Sequence, residues 1–148
     1  MNIRLASRED IDALVEFNQA MAFETEAKLL EIVVLRSGVE AVFNDERKGF
    51  YIVAEERGKI IGGLMITFEW SDWRSKWFWW IQSVYIIPQS RRKGIYKRLY
   101  GFVKLKAKEN GDVGGFRLYV ERENLKAQQV YENVGMSGSN YLMYEEKI

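Results

Sequence analysis

The sequence predicts an α/β domain built on one mixed sheet, and three observations carry that prediction. Two apolar runs separated by a short Gly turn read as a hairpin near the middle of the chain. Two strand-to-helix units follow it, and a last aromatic run closes the sequence. At 148 residues, with no internal repeat and no linker, the chain has the size of a single domain over residues 1–148 with one core.

The elements follow in order. Asn2 to Leu5 reads as a short strand. Ser7 with Asp10 three residues on forms a capping-box pattern, and Ile11, Leu14, Val15 and Phe17 supply the apolar stripe of the helix behind it. A second helix is expected from about Glu26 to Leu35, with Leu29, Ile32, Val33 and Arg36 at helical spacing and a break at Ser37 and Gly38. Another turn or two can follow, to Phe43. Phe50 to Glu55 and Ile60 to Phe68 are the arms of the hairpin, joined at Arg57, Gly58 and Lys59. Lys76 to Ile87 is the longest aromatic and β-branched run and ends at the only proline, Pro88, so it reads as a central strand. Gly94 to Asn110 is an amphipathic helix with Ile95, Leu99, Phe102 and Leu105 on its apolar stripe, ended by Gly111. Phe116 to Val120 reads as a strand, Asn124 as the N-cap of a helix through Val134, and Tyr141 to Glu145 as the last strand.

Composition removes several kinds of chemistry. There is no Cys and no His, which excludes a thiol nucleophile, a disulfide, a Ser/His dyad and an ordinary zinc site, so no metal is expected. Chemistry falls to carboxylates, Tyr, Lys, Arg and backbone. A net charge of +1 argues against broad attraction to nucleic acid or to an anionic membrane. Met1 to Asp10 has no long apolar run, and no segment approaches the ~18 apolar residues of a membrane helix, so a cytoplasmic location is expected.

The turn between Pro88 and Tyr96 concentrates the charge. Arg91, Arg92, Lys93, Lys97 and Arg98 surround Gly94 at the start of a helix. First-turn amides lack intrahelical acceptors and favour an anion, so this turn suits a pyrophosphate or another phosphate. Spacing alone is equally compatible with a solvated basic helix start.

Context adds a family. Ser83, Val84, Tyr85, Ile86, Ile87 and Pro88, followed by Arg91, Arg92, Lys93, Gly94 and Ile95, resemble motif A of the GNAT superfamily of acyl-CoA N-acyltransferases. Arg91 and Gly94 fill the first two marked positions of that motif, and Tyr96 stands where Gly or Ala is usual. Its ring can lie along the helix or turn toward the phosphate. Leu118, Tyr119 and Val120, then Asn124, Ala127, Tyr131, Gly135 and Met136, resemble motif B of the same family.

The resemblance implies a mostly antiparallel central sheet with splayed central strands and helices on both faces. It implies N-acetyl transfer from acetyl-CoA to an amine, small and cationic or peptidic, directly within a ternary complex. By the same analogy the strand at Val84, Tyr85 and Ile86 pairs with the pantetheine arm. The turn from Arg91 through Arg92, Lys93, Gly94 and Ile95 to Tyr96 holds the pyrophosphate. Asn124 contacts the pantetheine end, and Tyr131 lies by the thioester as general acid. A catalytically silent acyl-CoA sensor on the same fold is the alternative.

Glu24 is the first choice for the base, and Glu26 and Glu69 are further candidates for the acceptor wall. Each is also readable as a solvated surface charge. Trp80, with Trp70, Trp73, Trp77, Phe78 and Trp79, can line a cation-binding pocket, pack in the core or serve a homodimer surface.

Overall fold

The computed structural model describes all residues, 1–148. The backbone divides into two compact units, Met1–Leu118 and Tyr119–Ile148.

The first unit is a five-stranded sheet in the order β1-β2-β3-β4-β5. Its strands are β1 (Asn2–Leu5), β2 (Phe50–Glu56), β3 (Lys59–Ser71), β4 (Lys76–Ile86) and β5 (Val113–Arg117). The first four pair antiparallel, and β5 runs parallel to β4 after the crossover through α3 (Ile95–Asn110). Alternation along β2 sorts the core into two layers. Tyr51 and Val53 face α1 (Ile11–Glu26) and α2 (Ile32–Asn44), where they cluster with Leu14, Val15 and Val39. On the opposite face, Ile52, Leu64 and Ile66 are fully buried, as are Leu99 and Val103 on the inner side of α3. Helices therefore cover both faces of the sheet.

The strands splay as the family resemblance implied. β5 pairs with β4 only across Trp77 to Trp80, while β4 runs on to Ile86 without a partner on that side. β5 also lies earlier than expected, at Val113–Arg117 and not Phe116 to Val120. Its two glycines disguised it as a loop. Gly115 is needed there because a Cβ would stand 2.8 Å from Cε1 of Phe78.

Two helical boundaries also moved. α1 continues to Glu26 and is closed by Ala27 in the left-handed region (φ 53°), so Glu26 ends the first helix and does not begin the second. α2 then runs unbroken through Ser37 and Gly38, because Val39, 2% exposed, anchors the turn that Gly38 would otherwise loosen. On α3 the buried residues are Ile95, Tyr96, Leu99, Tyr100, Val103 and Ala107, and Leu105, expected on the stripe, is half exposed.

In the second unit, Asn124 caps α4 (Leu125–Asn133) by accepting from the Ala127 N–H at 3.1 Å. Gly135 closes it with φ 102°, and the Met136 N–H donates back to the Tyr131 carbonyl at 3.0 Å. Tyr141 to Glu145, expected as a strand, forms none within this unit.

Candidate active site

The geometry of the site begins with one extra residue in β4. Gly63 pairs with Tyr85 and Met65 with Gln82, so two β4 residues, Ser83 and Val84, stand opposite one on β3. Ser83 takes a positive φ of 53° to make this bulge. The bulge resets the alternation. Gln82 donates to Thr67 Oγ1 at 2.6 Å on the α1/α2 face, and simple alternation would send Tyr85 to the other face. Instead Tyr85 packs on Phe17 of α1, ring centroids 5.2 Å apart. Nothing in the composition of β4 announces the bulge; the only trace is the Gly62-Gly63 pair opposite. A Cβ on Gly62 would meet the Tyr85 carbonyl oxygen at 3.0 Å and Ile86 Cγ1 at 3.1 Å.

Beyond Ile86 the chain makes a 3-10 turn over Pro88–Ser90 and enters the basic segment. Arg92 at φ 64° and Gly94 at φ 75° are both left-handed, and their alternation with Lys93 curls the backbone into a concavity. Gly94 is the N-cap of α3, no side chain caps that helix, and its first turn holds no acidic residue. An anion is the natural complement of such a helix start. Arg91, Arg92, Lys93, Lys97 and Arg98 are all exposed around it. Tyr96 turns away: its ring is buried and stacks on Tyr100, centroids 6.1 Å apart and planes within 12°. Of the two orientations open to it, the ring takes the one along the helix.

Arg91 ties the turn to α1. Its Nε donates to the Ile86 carbonyl at 2.8 Å, and its Nη2 donates to Glu24 at 2.9 Å and 3.3 Å. The guanidinium also lies 5.3 Å from the centre of the Tyr85 ring. The Tyr85 hydroxyl donates to Glu24 Oε1 at 3.3 Å, and burial, reinforced by the Glu24 charge, holds this phenol above its ordinary range. Glu24, Tyr85, Ile86 and Arg91, four residues singled out from the sequence, thus meet at one place. Glu26 stands apart, 60% exposed and paired with Lys28 at 3.6 Å.

Further along the same face, Glu69 accepts from Trp80 Nε1 at 2.8 Å and from Arg117 Nη1 at 2.9 Å. Arg117, which sequence reading passed over, also lies 3.7 Å above the Phe78 ring. A cavity of about 480 Å³ opens between α2 and the sheet, lined by Asn18, Leu30, Val34, Leu35, Thr67 and Ser83. The remaining rings go elsewhere. Trp77 and Trp79 face the α3 side with Phe50 and Phe68, around a larger hollow of about 810 Å³ at the opposite end of β4 from Arg91. Trp70 packs edge-on against Trp77 at 5.0 Å, and Trp73 is 89% exposed in the β3–β4 turn.

In the second unit, the Asn124 side chain uses Oδ1 for its cap, and burial pushes the Tyr131 phenol above its usual value, so it keeps its proton at neutral pH.

Comparison with known proteins settles the family. The acetyltransferase (GNAT) family matches over residues 12–136. The chain belongs to the GNAT family. Like its relatives, this GNAT protein is an acyl-CoA-dependent acetyltransferase. It is 30% identical over 139 residues to the uncharacterized N-acetyltransferase YhfO of Bacillus subtilis, covering 91% of this chain and 89% of that protein. Among solved structures, a possible acetyltransferase from Clostridium difficile 630 is 44% identical, with a TM-score of 0.92, covering 99% of this chain and 97% of that one. A predicted acetyltransferase with acetyl-CoA from Clostridium acetobutylicum shares the fold at 20% identity and a TM-score of 0.79, over 98% and 95% of the two chains. No helix of this GNAT protein is long and apolar enough to cross a membrane.

Proposed function

We propose that this acetyltransferase moves an acetyl group from acetyl-CoA to a primary amine by direct transfer in a ternary complex. The observation that carries the reading is the continuous track from the unpaired edge of β4, past the Ser83 bulge, into the left-handed turn at Arg92 and Gly94. Val84, Tyr85 and Ile86 present backbone along that edge for the pantetheine arm, and the turn from Arg91 to Tyr96 presents amides and cations for the pyrophosphate. Tyr96 leaves the turn open because its ring is stacked on Tyr100. Acetyl-CoA supplies the acetyl group as an activated thioester.

The chain's own residues handle protons. Glu24 accepts the proton that the amine sheds as its nitrogen bonds to the acetyl carbon, and Tyr131 donates its phenolic proton to the departing sulfur. Asn124 holds the pantetheine end. Arg91 couples the two halves of the reaction. A pyrophosphate at the turn competes for the guanidinium that now holds Glu24, and its capture frees the carboxylate for the acceptor. The donor therefore binds first. The acceptor enters the cavity beside α2, with Glu69 and Trp80 on its approach, and Glu26, paired with Lys28, stays outside it. Because Glu69 carries its own guanidinium partner, the acceptor's charge is met at Glu24. Acetyl-CoA is drawn to a local basic turn on a chain of net charge +1, a pattern unlike a nucleic-acid surface.

Thiol release from acetyl-CoA over a panel of polyamines, amino acids and peptides tests the activity. Turnover with at least one amine is expected. Tight acetyl-CoA binding by calorimetry with no amine-dependent release would establish a sensor. Glu24→Gln tests the base and the coupling together. A kcat loss of about tenfold or more is expected, with the acidic limb of the pH profile flattened. Acetyl-CoA affinity should be equal or tighter, because Arg91 is released. An unchanged profile would reassign the proton to Glu26, Glu69 or water.

A further inference from the structure

We propose that the acceptor of this acetyltransferase is a primary amine carried on an uncharged apolar body, with that body seated in the cavity between α2 and the sheet. The inference rests on the reading of that cavity as the acceptor site, and it names the class of amine the cavity favours. A volume of about 480 Å³ lies in the range of small-molecule clefts. Leu30, Val34, Leu35, Val42 and Met65 supply aliphatic walls, and Tyr51 an aromatic one. Burial pushes the Tyr51 phenol up to about 12, so it brings no charge.

The polar groups of the wall are engaged with the protein itself. Asn18 Nδ2 donates to the Leu14 carbonyl at 2.9 Å, and Thr67 Oγ1 accepts from Gln82 at 2.6 Å. The two charged members, Glu31 and Lys48, are exposed and of opposite sign, and Lys48 is paired with Asp45 at 3.3 Å. A second ammonium on the acceptor would leave water here without a partner, whereas a methylene gains by leaving it. Ser83, the bulge residue, puts the sheet wall of the cavity two positions from Tyr85, whose hydroxyl donates to Glu24. The reacting nitrogen stays with Glu24 and its substituent turns into the cavity.

The wall is also held in place. Gln19 of α1 clamps Leu30 through both backbone groups, its Nε2 donating to the Leu30 carbonyl at 3.0 Å and its Oε1 accepting from the Leu30 N–H at 2.7 Å. From Leu30 the apolar surface continues outward, with Val34 67% exposed, Val33 71% and Leu29 80%. Exposed aliphatic side chains gathered beside a cavity mark a binding groove.

Initial rates of thiol release from acetyl-CoA with the alkylamines from propylamine to hexylamine test the inference, because these differ in apolar length and hardly in basicity. Their kcat/KM should rise about threefold per methylene. The diamine of the same length as hexylamine should fall about tenfold or more below it. Val34→Asp places a carboxylate in the cavity wall at the third residue of α2, where a helix start accommodates one, so the fold is kept. This variant should lose about tenfold in kcat/KM for hexylamine, gain for the diamine relative to hexylamine, and bind acetyl-CoA as the wild type does. Rates that stay flat along the series, a wild-type preference for the diamine, or a Val34→Asp variant equal to wild type with hexylamine would overturn the apolar acceptor and leave acetyl transfer standing. Absence of release with every amine would overturn the acetyl-transfer reading, and this inference with it.

Discussion

Arg91 joins the proposed donor site to the proposed acceptor site through one side chain. Its Nε is fixed on the Ile86 carbonyl, so only its outer nitrogens are at liberty to change partner between Glu24 and a phosphate. Arg91→Lys should lose that division of labour, since an ammonium cannot hold a carbonyl and an anion in one plane. Tyr131 has a simpler prediction. Tyr131→Phe preserves the ring and removes the proton, so kcat should fall about a hundredfold with acetyl-CoA affinity unchanged by calorimetry. Wild-type turnover in that variant would remove the phenol from the reaction. Burial raises the Tyr131 phenol above its ordinary value, so it keeps its proton at neutral pH, as the proposed acid must.

Elements reveal why some of the structure was readable in the sequence. The hairpin, the long central strand, α3 with its Gly111 stop and the Asn124 cap were legible because each carries a local signal: alternation, helical spacing or a capping side chain. The misplaced parts were decided by distant neighbours. Gly38 stays helical because Val39 is buried under the sheet, and Gly114-Gly115 is a strand because Phe78 fills the space a side chain would take. Of the site, the motif residues were readable, but the Glu24 to Arg91 pairing spans 67 positions and Arg117 reaches Glu69 over 48. No local pattern encodes such partners. Gly62 offers a test at this scale. Gly62→Ala should push β3 from β4 beside the bulge, costing about 1 kcal/mol of stability and raising the KM for acetyl-CoA severalfold while kcat changes less. Unaltered KM would mean that the edge of β4 does not carry the donor.

At the scale of the molecule, stability rests on the two packed faces of the sheet, and one buried charge gives it a pH dependence. Asp10 is 5% exposed; burial alone would raise its carboxyl, but hydrogen bonds from Arg4 and the Ser7 N–H hold it below its ordinary value. The unfolded chain therefore binds that proton more readily than the folded one, and the contribution is complete above about pH 4 and lost as pH falls below it. Asp10→Asn should cost about 2 kcal/mol in urea unfolding at pH 7, a value below that of a fully buried pair because Arg4 is partly exposed. The gap from wild type should close toward pH 3. A gap of constant size would assign the loss to packing. The exposed pairs at Lys106 and Glu109 or Arg36 and Asp12 add little by comparison.

The bulge at Ser83 divides β4 into two segments that keep separate registers. Substitutions upstream, at Phe78, Trp80 or Gln82, change what the proposed acceptor side meets without rotating Val84 to Ile86, because the extra residue absorbs the twist between them. A fold with such a joint can diversify one specificity while leaving the other in place. Deleting Ser83 should do the reverse: it would fuse the two registers, turn Tyr85 out of its contact with Phe17 and Glu24, and disable both halves in one step.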